Sequence, residues 1–275
     1  MTTLPPARSA IFSIPLFIIL LFVAAALFAP LLPLPDPTRI DLDSLREPPG
    51  LNHLLGTDHK GRDILSRIVF GGRISLGVAV VAAFISAGIG LVVGLVSGYL
   101  GGRVDMAVMA LVDFMLSFPS LLLAIAISLI LPPGPTTVMV AISAVGWTSV
   151  ARVIRGHVLT VRGMPFVDAA RAIGCSGFRV VFSHIAPTCI PLLVVMMGVK
   201  LGGYILTEAT LSFLGLGVQP PMPSWGSMVS SGRAYILTAP WTVLFPGLAI
   251  SITAFCFNMI GESVRKEWGG GGGRM

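Results

Sequence analysis

Long apolar runs dominate the chain and alternate with polar segments that hold most of its charged residues. Most of the runs reach the roughly 20 residues that a membrane-spanning helix needs. The pattern predicts six spans, at 11–32, 74–100, 104–131, 136–150, 188–216 and 241–260. An even number of spans places both termini on one side of the membrane. We therefore expect an all-α integral membrane protein with six transmembrane helices.

Composition supports that class of protein. Of the 275 residues, 55% are hydrophobic and only 11% are charged, whereas soluble domains are about 25% charged. A disordered chain would be polar and rich in charge. The net charge of +6 does not require a nucleic-acid partner, because basic residues accumulate in the cytoplasmic loops of membrane proteins. A modest excess of Lys and Arg on the side of the termini predicts that both termini are cytoplasmic.

Breaks in the apolar pattern divide the chain into regions. Residues 1–35 are predicted to form a cytoplasmic N-terminus and the first span, and 36–73 an extracytoplasmic loop with an amphipathic helix. A five-span core follows over 74–265, with a long cytoplasmic loop at 151–187. The glycine-rich tail, 266–275, is typical of an engineered linker or a flexible end.

The loop 151–187 contains a helical pattern of its own. Residues 167–173 favour a helix with Asp168 in its first turn, and Gly174 and Gly177 separate it from a second apolar face. That face has the spacing i, i+3, i+4 and i+7 and consists of Phe178, Val181, Phe182 and Ile185. We expect two short helices, a helix–turn–helix, beside the membrane. On pattern alone, a basic interfacial linker is the simpler interpretation.

The same loop resembles the EAA loop that marks permease subunits of bacterial ABC importers. The matching residues are Asp168-Ala169-Ala170, then Gly174, then His184-Ile185-Ala186-Pro187. The chain has Asp where the family has Glu and Ala186 where it has Leu, but the spacing from Gly to Pro is kept. The resemblance implies a type I ABC importer permease fold, in which this loop docks into a cleft of an ATPase subunit.

The ATPase-coupling residues that the resemblance implies are Asp168, Ala169, Ala170, Ala172, Gly174 and Pro187. Asp168 would be the charged anchor. Alanine and glycine would form the contact surface, because small residues let another protein approach the backbone closely.

Two further segments are similar to the peptide/nickel branch of these permeases, especially to the C-type subunit of dipeptide and oligopeptide importers. One is 54–76 and the other is 208–226, in which Ser224-Trp225-Gly226 follows a proline-rich stretch. Residues around Asp105, Asp113 and Phe118-Pro119 fit the third span of the family. The resemblance, which runs from about 54 to 265, implies an importer of peptides, with nickel or haem as alternative substrates.

The residues of these two segments also have a direct interpretation. Asp63 and Arg67 form an i, i+4 pair, which is worth about 0.3–0.5 kcal/mol on a helix surface. Two interpretations of this segment are possible. It can be a membrane-surface helix whose charges pair with each other, and it can contact an extracytoplasmic binding protein. The two interpretations are compatible. The candidate contact residues are Asp58, Arg62, Asp63 and Arg67. Gly215 and Gly217 are expected to end a helix, and Trp225 and Trp241 suit a membrane interface.

Three charged residues, Asp113, Lys200 and Glu208, fall inside apolar runs. A charge at the centre of a membrane helix costs about 2.5–3.5 kcal/mol on insertion scales, so such residues face the bundle interior or a water-filled path. Lys200 and Glu208 lie about two turns apart on one helix face. They are candidates for a translocation path that meets peptide termini. The alternatives are a structural Lys–Glu pair, or Glu208 at the outer interface.

The sequence has no phosphate-binding GxxxxGK[ST] motif and no recognisable catalytic constellation. We therefore predict that the chain is not an enzyme and binds no cofactor or metal, and that partner subunits bind ATP and Mg. The partners that the resemblance implies are a second homologous permease, two ABC ATPases and an extracytoplasmic substrate-binding protein, in a bacterial inner membrane. A secondary transporter would need inverted repeats with broken helices, and a membrane-embedded enzyme or channel would need a catalytic or filter constellation.

Overall fold

The computed structural model describes residues 6–269, and the side chains of 13–266. Over these residues the chain is helical and contains no strand longer than the isolated bridge between Thr57 and Asp63. The predicted all-α class is confirmed. The tail from residue 270 onward lies outside the described residues.

Ten α-helices follow one another along the described residues. They are α1 (Pro6–Leu27), α2 (Ile64–Leu100), α3 (Gly102–Leu116), α4 (Ser120–Ile130), α5 (Pro135–Val161), α6 (Pro165–Ala172), α7 (Gly177–Arg179), α8 (Ala186–Phe213), α9 (Trp225–Gly232) and α10 (Trp241–Gly269). A π-helical turn, Val180–Ile185, joins α7 to α8 without a break.

Four helical segments in the described part of the chain are long and apolar enough to cross a membrane. They are α2, α5, the continuous helix Gly177–Phe213 and Trp241–Lys266 of α10. The pair α3 and α4 would add a fifth span, bent by 91° where Pro119 interrupts the helix, as the sequence predicts. The described side chains of α1, Ser13–Leu27, form a shorter apolar helix. The count of six therefore stays a prediction.

Helix α2 begins ten residues before the predicted second span. Asp63 caps it by accepting a hydrogen bond from the Ser66 backbone N–H at 2.7 Å. The first turns bury Ile64 and Arg67 inside the protein, so the amphipathic stretch continues directly into the span. The domain boundary predicted at residue 73 accordingly falls inside a helix.

Helix α5 likewise runs past the predicted end of the fourth span at residue 150. Ala151, Ile154 and Val158 are fully buried, and this apolar face keeps the basic stretch helical to Val161. The loop predicted at 151–187 is therefore shorter than expected, because its first eleven residues belong to α5.

A glycine stripe on α2 lets α5 approach closely. An ideal Cβ placed on Gly90 would lie 2.5 Å from the Val150 Cβ, and one on Gly98 would lie 2.8 Å from the Val158 Cβ. Gly94 lies between them and faces Ile154 in the same way. Small residues at such spacing allow backbones in a membrane to pack in direct contact.

The chain segments before α2 and after α8 pack together at one end of the bundle. The Trp241 indole N–H donates to the Thr57 carbonyl at 3.1 Å, and the Tyr235 ring stacks on His59 with centroids 5.3 Å apart. Trp225 is fully buried and donates its indole N–H to the Ile68 carbonyl at 2.9 Å. Trp225 therefore does not face lipid, because its ring and its polar atom are enclosed in the fold, and its depth relative to the membrane interface stays a prediction.

Candidate coupling loop and translocation path

Helix α6 is a short amphipathic helix beyond the cytoplasmic end predicted for α5. Val167 and Ala170 are buried, in a cluster with Val180 and Ile185 from the following segment. Asp168 points outward and pairs at 3.4 Å with Arg171. The apolar residues thus hold α6 against the protein and leave the other side of α6 open.

A tight turn at Gly174 ends the α6 region. The Cys175 N–H donates to the Ala170 carbonyl at 3.1 Å, and the Gly174 N–H donates to the Arg171 carbonyl at 2.9 Å. This pattern is the Schellman motif, which requires a left-handed residue, and Gly174 has φ +86°. No other group lies within 4 Å of an ideal Cβ at Gly174. Within this chain, glycine is therefore needed here for the left-handed backbone conformation and not for close packing.

The expected second short helix of the loop does not exist as a separate element. Its residues form α7 and the π-helical turn, and they continue into α8. Pro187 has no N–H to donate, and the neighbouring Ala186 N–H reaches back to the Val181 carbonyl, a spacing of five residues. The helix–turn–helix prediction was therefore wrong in its second half, because the wider π turn lets the helix pass the proline.

The π turn also divides the apolar face that the sequence predicted. Val181 and Ile185 are buried, whereas the Phe178 and Phe182 side chains are 74% and 50% exposed. The two rings lie against each other, with centroids 4.4 Å apart. Sequence reasoning missed these aromatic residues as surface groups, because it applied the α-helical period to a π-helical turn.

An outward surface, the coupling face, results from these placements. It consists of Asp168, Ala169, Ala172, Ile173, Gly174, Phe178 and Phe182, all of which are exposed. Among the predicted coupling residues, Pro187 is exposed at the start of α8 and Ala170 faces inward. The structure places α6, α7 and the π-helical turn that leads into α8 on one face of the protein.

The coupling face is attached to the end of α2. The Arg171 guanidinium lies over the Tyr99 ring, 5.7 Å from its centroid. The Arg162 Nη1 donates to the Gly98 carbonyl at 3.0 Å. Arg171 thus places α6 in contact with α2, and the backbone continues from α6 through the Gly174 turn into the helix Gly177–Phe213.

Two ion pairs link α3 to α5. Asp105 accepts from the Arg155 Nε at 3.0 Å, and Asp113 pairs with Arg152. Asp113, which was predicted to line the path, thus has a cation as its partner on a neighbouring helix.

The structure separates Lys200 from Glu208. The Lys200 Nζ donates to the Ser149 hydroxyl on α5 at 2.6 Å. Glu208 is only 1% exposed and accepts from the Ser212 hydroxyl at 2.8 Å. The alternative of a Lys200–Glu208 structural pair was wrong, because each side chain finds a nearer hydroxyl. Lys200 lines a cavity, whereas Glu208 is enclosed.

The four candidate residues for a binding-protein contact are all buried. Asp58 accepts from the Arg62 Nε at 2.7 Å and lies 3.7 Å from the Arg67 Nε. Asp63 caps α2 and contacts the His53 Nδ1 at 2.9 Å. The predicted Asp63–Arg67 pair was therefore wrong, because the cap takes Asp63 and Asp58 takes Arg67. The contact with a binding protein stays a prediction.

The charge environment of Asp58 favours its ionised form. Burial alone would raise the pKa of this carboxyl, but the hydrogen bond and the positive charge of Arg62 outweigh burial, with help from the Lys60 backbone N–H. The pKa of Asp58 therefore lies below its ordinary value of 3.8.

The chain is similar to known proteins over most of its length. Residues 90–267 match the family described as the binding-protein-dependent transport system inner membrane component. The dipeptide transport system permease protein DppC of Alkalihalophilus pseudofirmus is 42% identical over 250 residues, which cover 91% of this chain and 82% of that protein. The glutathione transport system permease protein GsiD of Pectobacterium atrosepticum is 38% identical, with 91% and 83% covered.

A solved structure shares the fold. An inward-facing form of the MetNI methionine ABC transporter matches with a TM-score of 0.55 and 19% identity, covering 73% of this chain and 97% of the matched chain. The chain belongs to the family of binding-protein-dependent transport system inner membrane components. It is a multi-pass membrane protein, and its family is one of transport subunits rather than of catalysts.

Proposed function

We propose that the chain is one permease subunit of an ATP-driven importer of dipeptides and oligopeptides in a bacterial inner membrane. It pairs with a second homologous permease to enclose the path. Two ABC ATPases, which bind ATP and Mg, dock on the cytoplasmic side, and an extracytoplasmic binding protein delivers the substrate. Both termini are cytoplasmic. The support for the substrate class is that relatives at about 40% identity are named as dipeptide, peptide and glutathione transport permeases.

The observation that carries this proposal is the coupling face. A helix of eight residues, α6, exposes Asp168 and small residues and is therefore suited to a groove on a partner, a common recognition mode. The exposed rings of Phe178 and Phe182 add the apolar area that a stable contact needs. Closure of the ATPases would push α6. The Gly174 turn would pass the movement to the continuous helix Gly177–Phe213, which contains α8.

Gly174→Ala provides the test of the coupling role. Alanine at φ +86° strains the turn by about 1–2 kcal/mol, so α6 loses its orientation. We expect ATP-coupled peptide uptake by proteoliposomes that contain the complete transporter to fall about fivefold or more, together with ATPase copurification. Gly163→Ala is the matched control, because Gly163 lies in the same loop and its nearest neighbour to an added Cβ is at 3.9 Å.

Normal uptake and normal ATPase copurification by Gly174→Ala would show that this turn is not the coupling element. Substrate class is measured in the same proteoliposomes with dipeptide, haem and Ni²⁺ in separate samples. Uptake of haem or Ni²⁺ in place of peptide would contradict the peptide assignment while leaving the permease assignment intact.

A further inference from the structure

Lys200 projects into a cavity of about 270 Å³ between α4, α5 and α8. The residue lies about halfway along α8, within the span. Hydroxyl-bearing side chains share the wall with apolar side chains. The polar lining residues are Ser120, Thr148, Ser149, Lys200, Tyr204 and Thr207. A cation in such a place is costly unless a polar or charged group meets it.

The hydrogen bonds around Lys200 leave donors free for a ligand. A lysine ammonium has three N–H donors. One of them is directed at the Ser149 oxygen, 2.6 Å away. The Ser149 hydroxyl itself donates to the Gly146 carbonyl at 3.1 Å, so Ser149 is oriented as an acceptor and fixes the ammonium. Two donors remain, beside the Tyr204 ring, whose centroid is 5.7 Å from the Lys200 Nζ.

The positive charge has no counter-ion in the described part of the chain. No carboxylate of residues 13–266 lies within 4 Å of the Lys200 Nζ. Glu208, on the same helix, is engaged with Ser212. Asp113, on the neighbouring α3, pairs with Arg152, which is one turn from Ser149 along α5. The cavity therefore presents a positive wall with free N–H donors.

We propose that this cavity is a binding site for the carboxylate of a peptide in transit, with the Lys200 ammonium as the hydrogen-bond donor. The inference rests on the proposed function and deepens it by assigning a chemical group to the path. Every unmodified peptide carries a C-terminal carboxylate, so one fixed ammonium can serve substrates of any sequence. Glu208, which is enclosed, takes no part in this contact.

The first test compares uptake of the free-acid and C-terminally amidated forms of one dipeptide by the complete transporter in proteoliposomes. We expect Lys200→Met to lower the acid-to-amide uptake ratio about tenfold, the loss typical of one charge-assisted hydrogen bond. Lys200→Arg should preserve most of the ratio. Lys266→Met is the control, because Lys266 lies at the surface near Glu262. The binding protein is the same in every sample. Its own preference for acid over amide therefore cancels when the ratio of a variant is divided by the ratio of the wild type.

Two outcomes of that test would overturn the proposal. One is an equal loss of uptake for acid and amide in an intact complex, which means a structural role for Lys200. The other is loss of the second permease subunit from purified Lys200→Met complexes, which means that Lys200 pairs with a carboxylate of that subunit.

A second test does not depend on transport. The assembled wild-type complex is treated with an amine-reactive reagent, and modification of Lys200 is measured by mass spectrometry in the presence of N-acetylalanine or N-acetylalaninamide. We expect N-acetylalanine alone to protect Lys200. Protection without any peptide uptake by the wild type would refute the proposed function and leave the carboxylate site standing, whereas equal modification in both samples would refute the site.

Discussion

At the scale of single residues, the end of the molecule that holds the start of α2 depends on one buried carboxylate. Asp58 contacts both Arg62 and Arg67, and it also accepts the backbone N–H groups of Lys60 and Arg62, at 2.8 and 3.1 Å. Removing one partner from a buried set of charges leaves the others without compensation, which is more destabilising than the loss of a surface pair. Asp58 therefore holds the start of α2 and the preceding loop together.

Asp58→Asn is expected to destabilise the chain by about 3 kcal/mol, because two buried guanidinium groups lose their counter-charge. The measurement is thermal unfolding in detergent, with Asp43→Asn as the control, since Asp43 is exposed in the same loop. Because the pKa of Asp58 is lowered in the folded state, its contribution is fully present above pH 3.8 and is lost as the pH falls through the folded-state pKa. Equal acid sensitivity of wild type and Asp58→Asn would contradict this role.

At the scale of helices, close packing sets the geometry of the bundle. The stripe of Gly90, Gly94 and Gly98 seats α5 against α2, and Arg162 from the following loop donates to the α2 carbonyl end at Gly98. Two other glycines of α2, Gly77 and Gly88, have no neighbouring group within 4 Å of an added Cβ. The helix thus has one side that needs glycine for packing and another that does not.

Gly94→Ala is expected to lower stability by about 1–3 kcal/mol, the usual cost of overpacking, because its Cβ would lie 2.7 Å from the Ala151 carbonyl oxygen. Gly88→Ala, in the same helix, should leave stability unchanged or raise it slightly, since alanine favours helix. Thermal unfolding of both variants in one detergent makes the comparison. Equal effects of the two substitutions would argue against close α2–α5 contact.

At the scale of the whole molecule, the two ends have different chemistry. One end gathers the loops before α2 and after α8, where Tyr235 contacts His59 and Arg46. The other end carries the coupling face and its attachment to Tyr99. The span Gly177–Phe213 joins the two ends and carries Lys200 between them, and it begins five residues after the end of α6.

Single-cysteine labelling tests the orientation of these ends, after replacement of the native Cys175, Cys189 and Cys256. In cells with an intact inner membrane and a permeabilised outer envelope, a membrane-impermeant thiol reagent should label Leu51→Cys. Leu51 is fully exposed in the loop before α2, which the proposed topology places outside the inner membrane. Phe178→Cys, in cells that lack the ATPase subunits proposed to cover it, should react only after the inner membrane is permeabilised. Val112→Cys, at a fully buried position, serves as the unreactive control. Labelling of Phe178→Cys in intact cells would reverse the proposed topology.

The amino-acid sequence by itself determined the helical class, the approximate positions of the apolar spans and the loop that contains α6. These features depend on residue periodicity and on local turns such as Gly174, which neighbouring residues encode. Sequence reasoning ended α5 and began α2 at the wrong residues, because it assigned charged residues to loops. Only the tertiary structure showed that Arg67 and Asp58 compensate each other inside the fold.

The partners of the membrane charges were also decided by tertiary structure. Lys200 and Glu208 share a helix, yet Lys200 bonds to Ser149 on α5 and Glu208 to Ser212. Asp113 meets Arg152 across two helices. Spacing along one helix predicts only which side chains share a face. Glu208 finds its partner four residues further along its own helix, whereas the partners of Lys200 and Asp113 depend on which other helix packs there. For that reason the sequence could identify the three charges but not the cavity that contains only one of them.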